Sequence, residues 1–306
     1  MLPNSSNMAN KKVIAVFGAT GAQGGSVAKA LLTSSSFAVR AVTRDVRRPA
    51  ALELSGLGAE VVKGDLNDEK TLERILKGTH GAFVITNFWE QNSKEKEVSQ
   101  GKLVADVAKR LGLKHVVYSG LENVKKLTCG KLEVVHFDGK GEVEEYFWEE
   151  GVPMTSVRMP FYYENFLKEM KPVKANDGDS YSLMLPMGDV PMAGMSVADM
   201  GPVVSSLFHF PEGFIGKAVG LAAEELTEQQ YADILTKHTG KAIKDSKISP
   251  EEYEKLASPG AQEVANMFRF YQMKPERDVK LTHQLNPKVQ SFDEFVAKNQ
   301  EALKDL

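Results

Sequence analysis

Three glycines at three-residue intervals, Gly18, Gly21 and Gly24, follow an apolar run near the start of the chain. The run VIAVF has the composition of a buried strand, and the alanine-rich residues after Gly24 have that of a helix. In such a strand–turn–helix unit the first glycine permits a tight turn, the second lets the backbone approach a pyrophosphate, and the third lets the helix pack on the strand. The pattern predicts a dinucleotide site with its phosphates at the helix N-terminus. A P-loop is excluded, because no Gly-Lys-Ser/Thr follows.

The residues after the second predicted strand indicate which dinucleotide is bound. Arg44 stands where NAD-binding proteins of this type place an acid for the ribose hydroxyls. A guanidinium matches a 2′-phosphate, and Arg47 and Arg48 lie within reach of the same place. This favours NADP(H), whereas Asp45, one residue further on, keeps NAD(H) as the alternative.

Strands and helices alternate along the first half of the chain. We predict strands at 12–17, 37–42, 60–63, 82–86, 115–118 and 154–158, and helices at 24–33, 68–77, 93–111 and 140–150. Strands joined by helices of this length form a parallel sheet that is covered on both faces. The predicted fold is therefore α/β, a Rossmann-type doubly wound parallel sheet, whose ligands bind at the carboxyl ends of the strands.

After Pro160 the pattern changes to short strands, loops and helices. Four Ser or Thr residues precede an acid or amide by three positions, which is typical of a helix start; the pairs are Ser196/Asp199, Thr227/Gln230, Ser249/Glu252 and Ser291/Glu294. We therefore predict two domains, an NADP-binding Rossmann domain at 11–160 and a smaller, mostly helical substrate or lid domain at 161–306. The sequence leaves open whether a segment of about 181–222 returns to the first domain.

Composition excludes several classes of function. Lys and Arg total 38 against 41 acids, a formal net charge of −3, so nothing indicates binding to nucleic acid or to an anionic membrane. No segment is apolar enough to span a bilayer, and residues 1–10 lack the apolar core of a signal peptide. Cys129 is the single cysteine, and the histidines have no ligand spacing, so neither a disulfide nor a metal site is predicted. We expect a cytoplasmic protein, with a nuclear location left open.

Several motifs resemble those of the NmrA-like branch of the atypical short-chain dehydrogenases. The opening VFGATGAQG, the Gly64-Asp65 turn, the VYSG run at 117–120 and Lys140 before a helix carry this resemblance. Longer segments are similar to a vertebrate NADPH-binding redox sensor of that family; they are 86–90 (TNFWE), 118–123 (YSGLEN), 136–146 (HFDGKGEVEEY), 153–158 (PMTSVR) and 265–271 (ANMFRFY). The similarity extends from about residue 11 to near the C-terminus.

The resemblance implies a Rossmann domain, a smaller C-terminal domain and a set of NADP(H) contacts. At the pyrophosphate the implied contacts are Gly18, Ala19, Thr20, Gly21, Ala22, Gln23 and Gly24. On the adenine side they are Arg44 and Arg48 for the 2′-phosphate, with Asp65 and Leu66 for the adenine. On the ribose and nicotinamide side they are Thr86, Asn87, Phe88, Lys140, Tyr162, Tyr163, Glu164 and Asn165. The resemblance also implies a homodimer and protein partners such as argininosuccinate synthase or a signalling protein.

The sequence departs from the catalytic pattern of the short-chain dehydrogenases. These enzymes transfer a hydride with a Tyr-x-x-x-Lys pair, in which the tyrosine donates a proton and the lysine lowers its pKa and holds the ribose. None of the eight tyrosines here has a lysine four residues on, and the expected place reads His136-Phe-Asp-Gly-Lys140. Three interpretations stay open. Lys140 only holds the ribose, His136 supplies the proton, or Lys140 itself acts, as is proposed in the isoflavone-reductase relatives.

Three functions are compatible with these residues. The favoured hypothesis is an NADP(H)-binding redox sensor whose conformation, oligomeric state and partner binding follow the NADPH/NADP⁺ ratio. Its responding loops would be 87–96 and 171–180, and Trp89 with Glu90 would close over the cofactor. The alternatives are an NADPH-dependent reductase of a quinone or enone, and an interaction module with an inactive nucleotide site.

Overall fold

The computed structural model describes residues 11–306; the segment 1–10, for which no signal peptide is predicted, lies outside the described residues. The strands are β1 (Lys12–Val16), β2 (Phe37–Thr43), β3 (Glu60–Lys63), β4 (Gly81–Val84), β5 (His115–Gly120), β6 (Met154–Arg158), β7 (Phe161–Tyr162), β8 (Val173–Lys174), β9 (Tyr181–Leu183), β10 (Met192–Met195), β11 (Ala218–Gly220), β12 (Glu224–Leu226) and β13 (Ile243–Asp245). The helices are α1 (Ala22–Leu32), α2 (Pro49–Gly56), α3 (Glu69–Leu76), α4 (Phe88–Gln91), α5 (Lys94–Arg110), α6 (Val124–Leu127), α7 (Val135–Glu149), α8 (Met200–His209), α9 (Glu228–Thr239), α10 (Pro250–Tyr253), α11 (Ala261–Gln272), α12 (Val279–Leu285) and α13 (Phe292–Lys298).

Seven strands form the main sheet, in the order β11-β6-β5-β4-β1-β2-β3. The five neighbouring pairs formed by β1 to β6 are all parallel. The chain starts in the middle of the sheet, moves outward through β2 and β3, and returns to β4 on the other side of β1. This reversal is the switch point at which doubly wound sheets bind ligands. The predicted Rossmann-type α/β fold is confirmed.

The described chain divides into two compact units. The first comprises the residues up to Asn123, His136–Arg158 and Ala198–Val219, and it contains the main sheet. Its core is built from side chains such as Ala15, Phe17, Val84, Val104 and Tyr118, none more than 3% exposed. They bury apolar area that offsets the entropy of ordering the chain.

The second unit comprises Val124–Val135, Met159–Val197 and Gly220–Leu306. It holds two three-stranded sheets, β12-β10-β7 and β13-β9-β8, together with the helices α9 to α13. Aromatic rings form its core, since Phe166 contacts Tyr231 at 5.0 Å and Phe292 at 4.7 Å between ring centroids. The helical character predicted for the C-terminal region is confirmed, while the domain limits 11–160 and 161–306 remain a prediction.

The observed helix starts can be compared with the four capping patterns found in the sequence. Capping boxes form at Thr227/Gln230, Ser249/Glu252 and Ser291/Glu294, as predicted. At the fourth pair, helical structure does begin directly after Ser196, as the 3₁₀ turn Val197–Asp199 that continues into α8, but no capping box is seen there. The Ser196 hydroxyl donates to the Glu164 carboxylate at 2.7 Å, and α8 begins after Asp199, which makes no side-chain capping bond.

Two other segments also differ from prediction. The helix predicted at 140–150 begins at Val135, so His136 lies within α7. The first part of the predicted loop 87–96 contains the single turn α4, and Asn92 in a left-handed conformation separates it from α5, which begins at Lys94 close to the predicted helix start at 93. No helix among residues 11–306 combines the length and apolarity needed to cross a bilayer.

Candidate functional site

The glycine turn joins β1 to α1 in a shape that other residues cannot adopt. Gly18 has φ of +62°, in the left-handed region that favours glycine. A Cβ on Gly24 would lie 2.2 Å from the Gly18 carbonyl oxygen and 2.7 Å from that of Phe17. Both glycines are therefore required by the backbone itself, whatever binds beside it.

The N-terminus of α1 carries the partial positive charge of the helix dipole. The first N–H groups of a helix have no acceptor within the helix, and the N-cap residue Gly21 supplies no side-chain acceptor. The first turn also contains no acid, so a pyrophosphate placed there meets no repulsion. Gln23 is held in place by the Ser119 hydroxyl, which donates to its Oε1 at 2.7 Å. Thr20 is hydrogen-bonded to Thr43 at 3.3 Å, which links the turn to β2. These residues fit a dinucleotide pyrophosphate.

Arg44 lies at the carboxyl end of β2 with 62% of its side chain exposed, and its Nη1 forms an ion pair with Glu90 Oε1. The neighbouring acid, Asp45, is occupied by Arg47, whose backbone N–H and Nε both donate to Asp45 Oδ1, at 3.0 and 3.2 Å. These bonds lower the pKa of the Asp45 carboxyl, the backbone bond first. Arg48, also exposed, is the N-cap residue of α2. The end of β2 is thus an exposed basic segment whose one acid is already paired, an arrangement that suits a 2′-phosphate better than a ribose hydroxyl pair.

Asp65 and Leu66 follow β3, next to the end of β2. Asp65 Oδ1 accepts from the backbone N–H of Asn67 at 2.9 Å and from its side-chain amide at 2.8 Å. Leu66 is half-buried. Asp65 is exposed to solvent, and an adenine contact at this turn remains a prediction.

Lys140 reaches from α7 to the carboxyl end of β4. Its Nζ donates to the Thr86 carbonyl oxygen at 2.7 Å, to Thr86 Oγ1 at 3.1 Å and to Glu97 Oε1 at 2.7 Å. An ammonium has three N–H donors, so all of them have a protein acceptor. The ion pair is enclosed, with the Lys140 side chain 13% exposed and that of Glu97 1% exposed.

Two further hydroxyls complete this network. Thr86 Oγ1 donates to Glu97 Oε1 at 2.7 Å, and so it accepts from Tyr118 Oη at 3.2 Å. Burial first, and then the Glu97 charge, raise the pKa of Tyr118 well above its ordinary value. Tyr118 therefore keeps its proton, and it stands on β5 rather than four residues before Lys140.

His136 occupies the position at which the family pattern has its tyrosine. The residue is 8% exposed, and its ring lies among aromatic rings, 5.0 Å from Trp89, 6.1 Å from Phe88 and 4.8 Å from Phe137 between centroids. Asn87, which directly precedes Phe88 in the sequence, is the N-cap residue of α4 and is exposed. His136 thus helps to hold α4, whose Trp89 remains 52% exposed.

The remaining predicted contacts, Tyr162–Asn165, belong to the second unit. Tyr163 is fully buried there, and its Oη donates to Glu224 Oε1 at 3.1 Å. The Glu164 carboxylate accepts from the backbone N–H of Val197 at 3.0 Å. Tyr162 and Asn165 are half-buried. A cofactor contact from these residues remains a prediction.

The first unit therefore brings most predicted contacts to one edge of its sheet. The glycine turn, Arg44, Asp65 and Thr86 follow β1, β2, β3 and β4, and Lys140 joins them through Thr86. Among residues 11–306, no group of three His, Cys, Asp or Glu side chains is placed to hold a metal ion.

The comparisons with known proteins identify the family. The model of the NmrA-like family matches residues 10–296. The chain belongs to the NmrA-like family. It is 32% identical over 304 residues to an NmrA-like family domain-containing protein of Dictyostelium discoideum, covering 94% of this chain and 98% of that one. It is also 32% identical to NmrA-like family domain-containing protein 1 of Rattus norvegicus, covering 89% and 87% of the two chains.

Other members of this NmrA-like family are named as enzymes. The oxidoreductase FrzB of Cladobotryum sp is 32% identical over 85% of this chain and 84% of its own. The structure of NmrA, a negative transcriptional regulator, in complex with NADP matches with a TM-score of 0.82 and 22% identity, covering 97% of each chain. The NADPH-dependent quinone oxidoreductase of Escherichia coli, complexed with NADPH, matches with a TM-score of 0.76 and 22% identity over 94% of this chain and 99% of its own. These structures share the fold of this chain.

Glu97 and the ion pair of Glu90 with Arg44 were not predicted from the sequence. Yet Glu97, Gly101, Val104 and Ala108 recur at helical spacing on the buried face of α5. An acid on a buried helix face needs a buried cation as its partner. The position of Glu97 among apolar residues could therefore have indicated an ion pair. Glu90 was predicted to close over the cofactor, but its pairing with Arg44 depends on the strand order, which one sequence does not give.

Proposed function

We propose that this member of the NmrA-like family binds NADP(H) and acts as a redox sensor, with little or no dehydrogenase turnover. The NADPH/NADP⁺ ratio would set its conformation, its oligomeric state as a dimer, and its binding to protein partners. Such a response requires the two cofactor forms to bind two conformations with different affinities.

The observation that carries this proposal is the saturated ammonium of Lys140 beside an intact dinucleotide turn. All three N–H donors of Lys140 have protein acceptors, and His136 rather than a tyrosine stands four residues before it. The uncapped α1 N-terminus and the exposed Arg44 retain the features that hold a phosphorylated dinucleotide. Binding is thus supported without the proton donor of a short-chain dehydrogenase.

The residues that would hold the cofactor divide by chemistry. The helix N-terminus at Gly21 would hold the pyrophosphate, Arg44 the 2′-phosphate, and Thr86 with Lys140 would border the nicotinamide ribose. When bound, the nicotinamide supplies hydride chemistry. The protein residues around Lys140 hold their own hydrogen-bond network rather than offering a proton to a substrate.

Equilibrium titration with NADPH and NADH tests the cofactor assignment. Replacing Arg44 by Ala removes a charged phosphate contact, so we expect NADPH affinity to fall about ten- to a hundredfold while NADH affinity changes little. Equal losses for both dinucleotides would contradict the role of Arg44. Failure of the wild-type protein to bind either would favour an interaction module with an inactive site.

A second function is favoured by the similarity to a quinone oxidoreductase and to an oxidoreductase of the same family. This alternative is an NADPH-dependent reductase of a quinone or enone that uses Lys140 or His136. It is tested by following NADPH absorbance with a panel of quinones, enones and aldehydes. Tight binding without turnover supports the sensor, whereas steady turnover that is lost in His136→Ala supports the reductase.

A further inference from the structure

Arg44, the residue assigned to the 2′-phosphate, already has a protein partner. Its guanidinium is paired with the Glu90 carboxylate, and both side chains are partly exposed, 62% for Arg44 and 36% for Glu90. A 2′-phosphate needs the same guanidinium, preferably through two parallel hydrogen bonds. A carboxylate and a phosphate at one guanidinium compete for its donors and repel each other.

The strand order gives this pair a particular position. β1 lies between β4 and β2 in the sheet, and the glycine turn follows β1. Arg44 follows β2, whereas Glu90 belongs to α4, which follows β4. The Arg44–Glu90 pair therefore spans the carboxyl end of β1, beside the turn that would receive the pyrophosphate.

The α4 segment is short, and Phe88 is the one buried residue among Phe88–Gln91. It is a single helical turn that ends at Asn92, whose φ is +46°. Phe88 anchors it with 8% exposure, while Trp89 and Glu90 face solvent to a large extent. Segments with few buried contacts open with small free energies.

We propose that Glu90 is a specificity-determining residue that competes with the 2′-phosphate for Arg44. The inference rests on the proposed function, since it concerns binding of NADP(H). Engagement of Arg44 by the 2′-phosphate releases Glu90 and with it α4, whereas a dinucleotide without that phosphate leaves the pair intact. Glu90 thereby sets the affinity for phosphorylated dinucleotides and couples their binding to the conformation of α4.

Calorimetric titrations of the full chain test this competition. Exposed ion pairs are weak, so in Glu90→Gln we expect NADPH to bind about two- to fivefold more tightly, with NADH affinity unchanged. Glu150→Gln is the matched control. It breaks an exposed pair with Lys109, 2.7 Å long, at the C-terminal ends of α5 and α7, and should alter neither affinity. Unchanged or weaker NADPH binding in Glu90→Gln overturns the proposal.

A double-variant cycle separates competition from simple charge repulsion. If Glu90 acts by holding Arg44, Glu90→Gln changes NADPH affinity much less when Arg44 is already Ala. An equal gain in both backgrounds overturns the proposal, because Glu90 would then act on the phosphate directly. If Arg44→Ala weakens NADPH selectively while Glu90→Gln has no effect, the proposed function stands and this inference fails.

Trp89 reports on α4 independently of affinity. The chain has two tryptophans, so a Trp148→Phe variant leaves Trp89 as the only tryptophan, whose emission is excited selectively at wavelengths that tyrosine does not absorb. Adenosine 2′,5′-bisphosphate should shift its emission, adenosine 5′-monophosphate should not, and Glu90→Gln without nucleotide should already show the shifted emission. Identical Trp89 emission with and without the bisphosphate overturns the release of α4.

Discussion

Lys140 forms an enclosed ion pair, so its replacement would affect stability as well as any role at the cofactor site. Its ammonium and the Glu97 carboxylate are enclosed together, and each is the main partner of the other. The second carboxylate oxygen of Glu97 is buried without a hydrogen-bond partner in the described part of the chain. Removing Lys140 would therefore leave a buried charge uncompensated, which costs more than the pair itself contributes.

We expect Lys140→Met to lower the free energy of unfolding by about 3–5 kcal/mol. The double variant Lys140→Met/Glu97→Gln should recover part of this loss, because the buried carboxylate is then absent. Urea denaturation followed by circular dichroism measures both effects.

Lys109→Met, which breaks an exposed pair with Glu150, is the control and should cost at most about 1 kcal/mol. Strictly additive effects of Lys140→Met and Glu97→Gln would contradict the coupling. Loss of activity in a Lys140 variant is thus no evidence of catalysis unless its stability is measured as well.

At the scale of elements, the sequence predicted what depends on short-range pattern. The glycine turn, the six parallel strands and three capping boxes follow from spacing and residue type alone. The early start of α7 does not, because Gly139 and Gly141 disfavour a helix locally. Glycine is needed at these two positions because other elements pack closely against them. A Cβ on Gly141 would lie 2.4 Å from the Asn123 backbone nitrogen, and one on Gly139 would lie 3.1 Å from Glu97 Oε2. Close approach between elements outweighed helix propensity there.

The candidate site, too, was predictable only where it depends on residues that are close in the sequence. The positions of the glycine turn and of Arg44 at the ends of β1 and β2 could be predicted, because each lies within a few residues of its strand. The ion pairs Arg44–Glu90 and Lys140–Glu97 could not be predicted in this way. Their members lie 46 and 43 positions apart in the sequence. Pairings of this kind depend on strand order and helix rotation, which a single chain specifies only through its complete fold.

The turn between β1 and α1 gives a prediction about an element. In Gly24→Ala the new Cβ would meet the backbone oxygen of Gly18 at 2.2 Å, and backbone cannot yield as a flexible side chain can. We expect a loss of about 1–3 kcal/mol in unfolding free energy, with weaker NADPH binding because α1 shifts from β1. Gly56→Ala is the control. No heavy atom lies within 4 Å of its new Cβ at the end of α2, so stability should rise by up to about 1 kcal/mol. Equal stabilities of the two variants would contradict this account of the turn.

At the scale of the whole molecule, the two units carry buried groups that respond to pH in opposite directions. In the first unit, burial first and then the His80 charge lower the pKa of His115 to about 4. Its ring is 1% exposed, and its Nε2 is hydrogen-bonded to Thr155 Oγ1 at 2.8 Å. In the second unit, burial raises the pKa of Glu228 to about 8, opposed by the Leu185 N–H at 3.0 Å.

These pKa values fix the sign of each effect. Unfolded His115 binds a proton below about pH 6.5 but the folded residue only below about 4, so its contribution to stability is lost as the pH falls through this interval. Folded Glu228 keeps its proton up to about pH 8 while the unfolded residue loses it near 4.5, so its contribution is lost as the pH rises between these values. A fall in pH from about 6.5 to 4 should therefore destabilise the first unit, and a rise from about 4.5 to 8 should destabilise the second.

Hydrogen exchange corrected for intrinsic rates, measured at several pH values between 5 and 8, follows each unit separately. Glu228→Gln should stabilise the second unit increasingly toward pH 8, by a few kcal/mol, since a pKa difference of 1 corresponds to about 1.4 kcal/mol. His115→Gln should make protection of the first unit less dependent on pH at the acid end.

Glu225→Gln removes an exposed carboxylate nearby in sequence and should leave both profiles as in the wild type. If Glu228→Gln gains the same stability at every pH, its effect comes from packing rather than from the buried charge. If both units instead respond to pH alike, their stability is governed by net charge rather than by His115 and Glu228.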